Sequence, residues 1–346
     1  MLAVIGGTGI YELAGMQVQQ RLDQLTKPQG ALGRLEALAL QVALVQGTTH
    51  PQWQAPQLLV FAADHGIAAQ GVSAYPAEVT AQMVLNMLAG GAAVSVLARQ
   101  HGLALTVVDC GVAYHFTPQA GLHIAKVCHG AADSSTGAAL TNEQCEAALI
   151  NGMQLVRSLP GNVLLLGEMG IANTSAAALL MARLTGLPLA GCVGRGTGLG
   201  DAGLLHKTTV LQRALQRHAD VQGALPLLAA LGGAEIATMV GAVLQAASER
   251  RVVVVDGFIT TAAVAVAAAL QPALLQRCVF AHGSAEAGHG RWLQALGVQP
   301  LLNLGLRLGE GSGAALAWPL LVSALQLLGG MASFASAGVA GRADET

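Results

Sequence analysis

Charged residues are scarce in this sequence of 346 residues. They make up only 10% of the chain, and the formal net charge is −2. So few charges provide neither the basic surface that binds nucleic acid nor the lysine and arginine cluster that binds an anionic membrane. We therefore expect no nucleic acid and no charged membrane surface among the partners of this protein.

Cysteine is also rare, and its positions follow no pattern. The five cysteines include no C-x-x-C pair, and their odd number argues against a disulfide framework. They are typical of reduced core residues in a cytosolic protein. The amino end has no basic segment before its short apolar start, so we expect no signal peptide and a cytoplasmic location. The cysteines are Cys110, Cys128, Cys145, Cys192 and Cys278.

One long segment lacks charge altogether. No charged residue occurs between Gly311 and Gly341, which is long enough for a transmembrane helix. Pro319, the Gly329-Gly330 pair and several serines interrupt it, and alanine and glycine outweigh leucine, isoleucine and phenylalanine in much of it. This composition disfavours a membrane span, and we expect none.

Apolar residues and glycine are abundant instead. Apolar residues make up 53% of the chain, and there are 44 glycines. This composition predicts a compact chain packed through alanine and glycine, with part of its apolar surface buried in an oligomer interface. The length permits one large domain or two.

Short apolar runs alternate with alanine-rich helical stretches along the middle of the chain. Continuous apolar strands separated by helices predict an α/β fold with a parallel sheet covered on both faces. Ligands bind beyond the carboxyl ends of such strands, so polar motifs at five strand ends predict one active site. The runs are 58–63, 105–108, 163–166, 251–255 and 278–281, followed by D-H-G, D-C-G-V, G-E-M-G, D-G-F and H-G-S-A-E.

Glu310 is the first catalytic candidate. It stands between Gly309 and Gly311, just before the uncharged apolar segment. Glycines permit a sharp turn and close approach of a ligand, and a partly dehydrated carboxylate there has a pKa raised towards that of a general base. The alternative is a carboxylate that only interacts with the dipole of the following helix.

The segment from Gly191 to Lys207 has the highest density of glycine. Successive N–H groups on such a loop can form an anion site, to which Lys207 adds a positive charge. Arg195 and Asp201 bring further charge into a region that otherwise has none. We favour a phosphate-binding loop over the alternative, a flexible surface loop.

A zinc site and a nucleophile are both disfavoured. His282, Glu286 and His289 would share one face of a helix, but the glycines among them make a rigid helix unfavourable. No G-x-S-x-G motif accompanies a triad. We therefore expect neither a metal nor another cofactor.

Seven stretches follow one another from about residue 20 to the carboxyl end: L-T-K-P-Q-G-A-L-G-R-L-E, A-A-D-H-G-I, G-E-M-G-I-A-N-T-S, V-G-R-G-T-G, V-D-G-F, S-A-E and L-R-L-G-E-G-S-G-A-A-L-A. In this order they resemble the nicotinate-nucleotide:dimethylbenzimidazole phosphoribosyltransferases, which activate the lower-ligand base of cobamides. The resemblance implies a homodimer with a Rossmann-like parallel sheet flanked by helices. It also implies a small helical domain built from both chain ends, residues 1–50 and 311–346, around a large catalytic domain at 51–310.

The resemblance also implies the residues of the site. It makes Glu310 the catalytic glutamate and Glu168 a second one. In nicotinate mononucleotide the leaving group is a pyridinium, which departs as a neutral ring, so a single carboxylate base suffices. Glu310 would take the proton of the base that attacks the ribose anomeric carbon, with inversion from β to α. Phosphate and ribose contacts carry over to Gly170, Lys207, Asp256, Gly257 and Ser284.

Three positions depart from the dimethylbenzimidazole-using members. Tyr75, Met83 and Met169 stand where those members have serine, glutamine and leucine, and they resemble a branch that activates phenol and p-cresol. An aromatic wall and two thioethers would suit a single small ring. Neutral drift in a permissive pocket is the alternative. The phenolic branch can work as two related chains, so a heterodimer with a paralogous chain is a second possibility beside the homodimer.

The amino end supplies a rival function. The sequence I-G-G-T-G-I-Y-E, from Ile5 to Glu12, resembles the start of methylthioadenosine phosphorylases, and nothing later continues that likeness. A nucleoside phosphorylase is therefore one alternative to the transferase. A non-catalytic subunit that binds a nucleotide or a partner is another.

Overall fold

The computed structural model of the chain describes residues 10–340, and its centre is one six-stranded sheet. All five strand pairings are parallel, which confirms the predicted α/β fold with a Rossmann-like sheet. Across the sheet the strands lie in the order β3-β2-β1-β4-β5-β6. The strands are β1 (Gln57–Ala63), β2 (Ala104–Gly111), β3 (Leu122–Ile124), β4 (Val163–Met169), β5 (Val252–Val255) and β6 (Cys278–Phe280).

The predicted runs correspond to five of these strands, and β3 was not predicted. It has only three residues and lies at the edge of the sheet, so no apolar run marks it. The helices are α1 (Ile10–Gln24), α2 (Arg34–Gln46), α3 (Val79–Leu88), α4 (Ala93–His101), α5 (Asn142–Ser158), α6 (Asn173–Thr185), α7 (Asp201–Arg217), α8 (Ala224–Leu231), α9 (Ala234–Ser248), α10 (Phe258–Leu270), α11 (His289–Ala295), α12 (Ser312–Gly330) and α13 (Phe334–Ala337).

Two apolar cores lie on opposite faces of the sheet, because successive strand residues point to opposite faces. In β1, Leu59 and Phe61 pack into one core with α5 to α10, whereas Leu58 and Val60 pack into the other. The second core contains the inner faces of α1, α2, α3, α4 and α12. Helices therefore cover both faces of the sheet.

The first described helix, α1, and the last long helix, α12, lie close together on the second face. Helix α2 packs against both α1 and α12. The guanidinium of Arg21 donates a hydrogen bond of 2.8 Å to the carbonyl of Leu328, and Thr26 N–H donates one of 3.0 Å to the carbonyl of Ala332. The division of the chain at residues 50 and 310 stays a prediction.

Two segments have the length and apolar character of a membrane span, Val79–His101 and Ser312–Gly330. The first contains two helices, α3 and α4, separated by a turn at Gly90 and Gly91. In the second, half of the residues are buried within the protein, where α12 packs against α2, α4 and β4. The second segment therefore has the character of a core helix, and each helix of the first is too short to span a membrane by itself. The I-G-G-T-G sequence at residues 5–9 lies outside the described residues.

Candidate active site

A cleft opens at the carboxyl ends of β4, β5 and β6, beside the point where the strand order reverses between β1 and β4. The cavity itself has a volume of about 100 Å³ and is open to solvent on one side. Three of the predicted strand-end motifs contribute to its walls, together with the glycine-rich loop and the segment before Glu310. The lining residues are Glu168, Met169, Gly170, Ile171, Asn173, Thr174, Gly196, Thr197, Gly257, Phe258, Ile259, His282, Ser284, Glu286, Arg307, Leu308 and Gly309.

Glu168 lies at the end of β4, and the residue is only 7% exposed. The side-chain amide of Asn173, in the first turn of α6, donates a short hydrogen bond to it. Burial raises the pKa of Glu168 to about 8, and the carboxylates of Asp256, Glu235 and Glu310 add to the rise. Glu168 therefore belongs to a group of buried acids that repel one another when ionised.

The backbone at Glu310 forms a left-handed hinge of three residues. Gly309, Glu310 and Gly311 have φ values of 80°, 64° and 88°, and α12 begins at the next residue. Only Glu310 carries a side chain, so this conformation is strained there by about 1 kcal/mol. The prediction of a glycine hinge is therefore explained by the positive φ values of Gly309 and Gly311, which favour glycine.

Close packing brings this hinge against β4. A Cβ atom at Gly167 would overlap the backbone of Glu310 and Gly311, and one at Gly309 would overlap the carboxylate of Glu168. Glycine at both positions therefore lets the hinge lie directly on the strand end. Glu168 and Glu310, separated by more than a hundred residues in sequence, are held side by side by these contacts.

The side chain of Glu310 is buried, and its Oε2 atom has no hydrogen-bond partner among the described residues. Burial raises its pKa, and the backbone of Val94, in the first turn of α4, acts in the opposite direction. A buried carboxylate with one free oxygen and a raised pKa has the properties of a general base.

Asp256 follows β5 and lies beneath the amino end of α12. Its two carboxylate oxygens accept hydrogen bonds from the N–H groups of Gly311, at 3.2 Å, and Ala314, at 2.9 Å. Nε2 of His282 is 3.7 Å from Oδ1 of Asp256. Burial raises the pKa of Asp256 to about 7, while the backbone hydrogen bonds act to lower it.

Lys207 lies inside a helix, which corrects the prediction of a single glycine loop from Gly191 to Lys207. Helix α7 begins at Asp201. Gly203 in its first turn is the last glycine of the segment, and the residues after it form helices readily. Lys207 is 1% exposed, and its ammonium group donates a hydrogen bond of 2.8 Å to the hydroxyl of Thr174. Burial lowers its pKa to about 8.

The remaining loop, 192–200, lies beside the cleft, but its charges are partly paired. Arg195 forms an exposed ion pair with Asp201. Oε1 of Glu286 accepts a hydrogen bond of 3.2 Å from the N–H of Gly196. The carboxylate of Glu286 therefore already accepts from one of the N–H groups predicted for phosphate. Lys207 and Arg307 are cationic side chains beside this loop.

His289 holds the loop that contains Ser284. Its Nδ1 accepts a hydrogen bond of 2.8 Å from the N–H of Ser284, so its Nε2 carries the proton and donates to the hydroxyl of Thr261 at 3.0 Å. Burial lowers the pKa of His289 to about 4, so the ring is neutral. Within residues 10–340, no group of three histidine, cysteine, aspartate or glutamate side chains is placed to hold a metal ion.

The structure brings most of the predicted site residues together. Five of them line the cleft: Glu168, Met169, Gly170, Gly257 and Ser284. Glu310, Asp256 and Lys207 each adjoin a lining residue, which is Gly309, His282 and Thr174 respectively.

Tyr75 and Met83 lie outside the lining of this cleft. The side chain of Tyr75 is exposed, although Ser73 of the same loop lies 3.5 Å from the hydroxyl of Thr197. Met83 is half-buried on α3 and packs against the second core. Sequence reasoning assigned no role to Asn173, although it stands in the G-E-M-G-I-A-N-T-S motif.

Comparison with known proteins identifies the family. A family model described as "Phosphoribosyltransferase" matches residues 9–339. The chain belongs to this family. A relative from Variovorax paradoxus is 64% identical over 93% of both chains, and one from Cupriavidus necator is 58% identical over 93% of this chain and 94% of its own. Both are named nicotinate-nucleotide--dimethylbenzimidazole phosphoribosyltransferase.

A solved structure confirms that the family fold extends over nearly the whole chain. The crystal structure of CobT from Thermus thermophilus superposes with a TM-score of 0.92 at 44% identity, covering 95% of this chain and 99% of that one. The family membership predicted from the seven motifs is therefore confirmed, and so is the enzyme class, a phosphoribosyltransferase. Membership of this family favours phosphoribosyl transfer over both alternative functions, the nucleoside phosphorylase and the non-catalytic subunit.

Proposed function

We propose that this enzyme transfers phosphoribosyl from nicotinate mononucleotide to dimethylbenzimidazole, the lower-ligand base of cobalamin. The products are an α-riboside 5′-phosphate and nicotinate. The observation that carries the proposal is the buried pair of Glu168 and Glu310, held at one strand end beside the cleft. Relatives that share more than half of the sequence bear the name of this reaction.

Glu310 acts as the general base. The unprotonated nitrogen of dimethylbenzimidazole attacks the anomeric carbon while the bond from that carbon to the pyridinium nitrogen breaks, and the breaking bond leaves its electron pair on nicotinate. The positive charge passes to the benzimidazole, whose N–H proton then moves to Glu310. Attack opposite to the leaving ring converts the β linkage to α.

The charge of the nucleotide complements the buried acids. Burial raises the pKa values of Glu168, Asp256 and Glu310, and repulsion from neighbouring carboxylates adds to the rise at Glu168 and Asp256. A pyridinium, and then a ribosyl group with cationic character, favours their ionised forms. Lys207, buried beside Thr174 and Gly196, supplies positive charge for the 5′-phosphate.

Replacement of Glu310 tests this assignment. Glu310→Gln keeps the size of the side chain but cannot accept the proton, so we expect kcat to fall by about 100- to 10,000-fold. Glu146→Gln, an exposed glutamate on α5, is the matched control and should retain full activity. Wild-type turnover in Glu310→Gln with an unchanged melting temperature would overturn the role of Glu310 as base.

The identity of the acceptor is a separate question. The phenolic hypothesis rested on three residues, and Met169 is the one that lines the cleft. A competition assay with nicotinate mononucleotide, dimethylbenzimidazole and p-cresol in one tube decides it. We expect the α-riboside 5′-phosphate of dimethylbenzimidazole to predominate; a predominant α-riboside 5′-phosphate of p-cresol would reinstate the phenolic branch.

The assembly and the location of the enzyme also stay predictions. We propose a cytoplasmic homodimer, with a heterodimer containing a paralogous chain as the alternative. Light scattering of the purified chain distinguishes them, because a chain that needs a paralogue would be monomeric and inactive alone.

A further inference from the structure

We infer that Asp256 is a positioning residue that fixes the Glu310 hinge through the first turn of α12, and is not a ligand of the ribose or the phosphate. This inference rests on the proposed function of Glu310. It replaces the role that the family resemblance implied for Asp256. The hydrogen bonds of the helix end carry the argument.

The first turn of a helix leaves N–H groups without partners inside the helix. In α12 the cap residue is Gly311, which has no side chain to accept them. The hydroxyl of Ser312 points back to the preceding hinge, where it donates a hydrogen bond of 2.8 Å to the carbonyl of Gly309. Asp256 accepts from Gly311 and Ala314 instead, and thus caps the helix from a different strand.

This cap acts on the catalytic hinge itself. The N–H of Gly311 is the next backbone donor after Glu310, so its hydrogen bond to Asp256 fixes the peptide that carries the glutamate. On the other side, the N–H of Ser312 donates to the carbonyl of Gly309 at 3.0 Å. The left-handed conformation of Glu310 is unfavourable by itself, and these contacts on both sides maintain it.

The surroundings of Asp256 leave little room for a ligand. The residue is 1% exposed. A Cβ atom at Gly313 would lie 2.8 Å from its Oδ1, and the ring of His282 lies on the same side at 3.7 Å. His282 is among the residues that line the cleft, whereas Asp256 is not.

Two substitutions with separate kcat and KM measurements test the inference. Asp256→Asn retains one acceptor but turns an amide donor towards one N–H group, and Asp256→Ala removes both acceptors. Because a shift of about 1 Å in a catalytic group costs about 100-fold, we expect kcat to fall by about 10- to 100-fold in the first variant and further in the second. KM for the nucleotide should stay within about twofold, since ground-state contacts are unchanged.

Asp133→Asn is the matched control. Asp133, which is half-buried, likewise accepts hydrogen bonds from two N–H groups, those of Ser135 at 2.8 Å and the Gln70 side chain at 2.7 Å. It lies in a separate loop, and its variant should keep the wild-type kcat. A rise of KM by tenfold or more in Asp256→Asn with kcat unchanged would overturn the inference in favour of a direct ligand contact.

Hydrogen exchange provides a measurement that does not depend on the reaction. Exchange of the amides of Gly311 and Ala314 should accelerate in Asp256→Asn and stay unchanged in Asp133→Asn. Unchanged exchange at both amides would also overturn the inference. If the wild-type enzyme fails to use nicotinate mononucleotide, the proposed function fails, while the exchange measurement still decides whether Asp256 holds the hinge.

Discussion

Gly167 in β4 is where the contact between the two glutamates can be broken without removing either of them. In Gly167→Ala the new methyl group would lie 2.7 Å from the carbonyl carbon of Glu310 and 2.8 Å from the nitrogen of Gly311. Both neighbours are backbone atoms, which cannot rotate away. The carbonyl oxygen of Glu310 would lie closer still, and ordinary contact begins at 3.4 Å, so the hinge must move by roughly 1 Å.

A displacement of this size has two consequences. Overpacking of a buried site lowers the free energy of unfolding by about 1 to 3 kcal/mol. Because Glu310 moves with the hinge, we expect kcat to fall by up to about 100-fold, with a smaller change in KM. Steady-state kinetics at saturating base and a thermal melt of the same preparation measure both effects.

Gly330→Ala is the control for this experiment. A Cβ atom at Gly330, the last residue of α12, meets nothing within 4 Å, so alanine should raise stability by up to about 1 kcal/mol and leave kcat unchanged. If Gly167→Ala had the kcat and the melting temperature of the wild type, the contact between β4 and the hinge would not hold Glu310 in place.

Two further predictions concern the pH dependence of buried groups. The folded-state pKa of Glu168 is about 8 against an ordinary value of 4.5, so the folded protein binds the additional proton and stability falls as pH rises from 4.5 to 8. Glu168→Gln should therefore be more stable than the wild type in urea unfolding at pH 8.5 and similar to it at pH 4.5; equal stability at both pH values would contradict the buried position of the carboxylate. Lys207 has a pKa lowered to about 8, so KM for the nucleotide should rise by about tenfold per pH unit above 8 as the ammonium loses its proton. Lys207→Met should raise KM at pH 7 and abolish that slope, whereas a KM independent of pH in the wild type would exclude Lys207 from phosphate binding.

Sequence alone was sufficient for the fold and for much of the cleft. Strands buried on both faces must be apolar throughout, so runs such as 58–63 and 163–166 are visible without any structure. Parallel strands bring their carboxyl ends to one edge, which predicted that Glu168, Gly257 and Ser284 would share a site. The two glycines beside Glu310 also predicted a hinge, because only a special backbone conformation requires them.

Tertiary packing decided the rest. No local pattern indicates that Asp256 caps a helix that begins more than fifty residues later, since such a hydrogen bond depends on β5 and α12 lying side by side. Lys207 is charged and was predicted in a loop, yet α7 buries it beside Thr174. Tyr75 and Met83 were grouped with Met169 by resemblance, but they stand on a loop and a helix whose positions relative to β4 only the folded chain determines. The sequence specifies which residues can form strands and hinges and which carry charge, because these properties depend on the residues themselves and on their neighbours along the chain. The hydrogen bonds of one carboxylate to a distant backbone depend on contacts that exist only after folding.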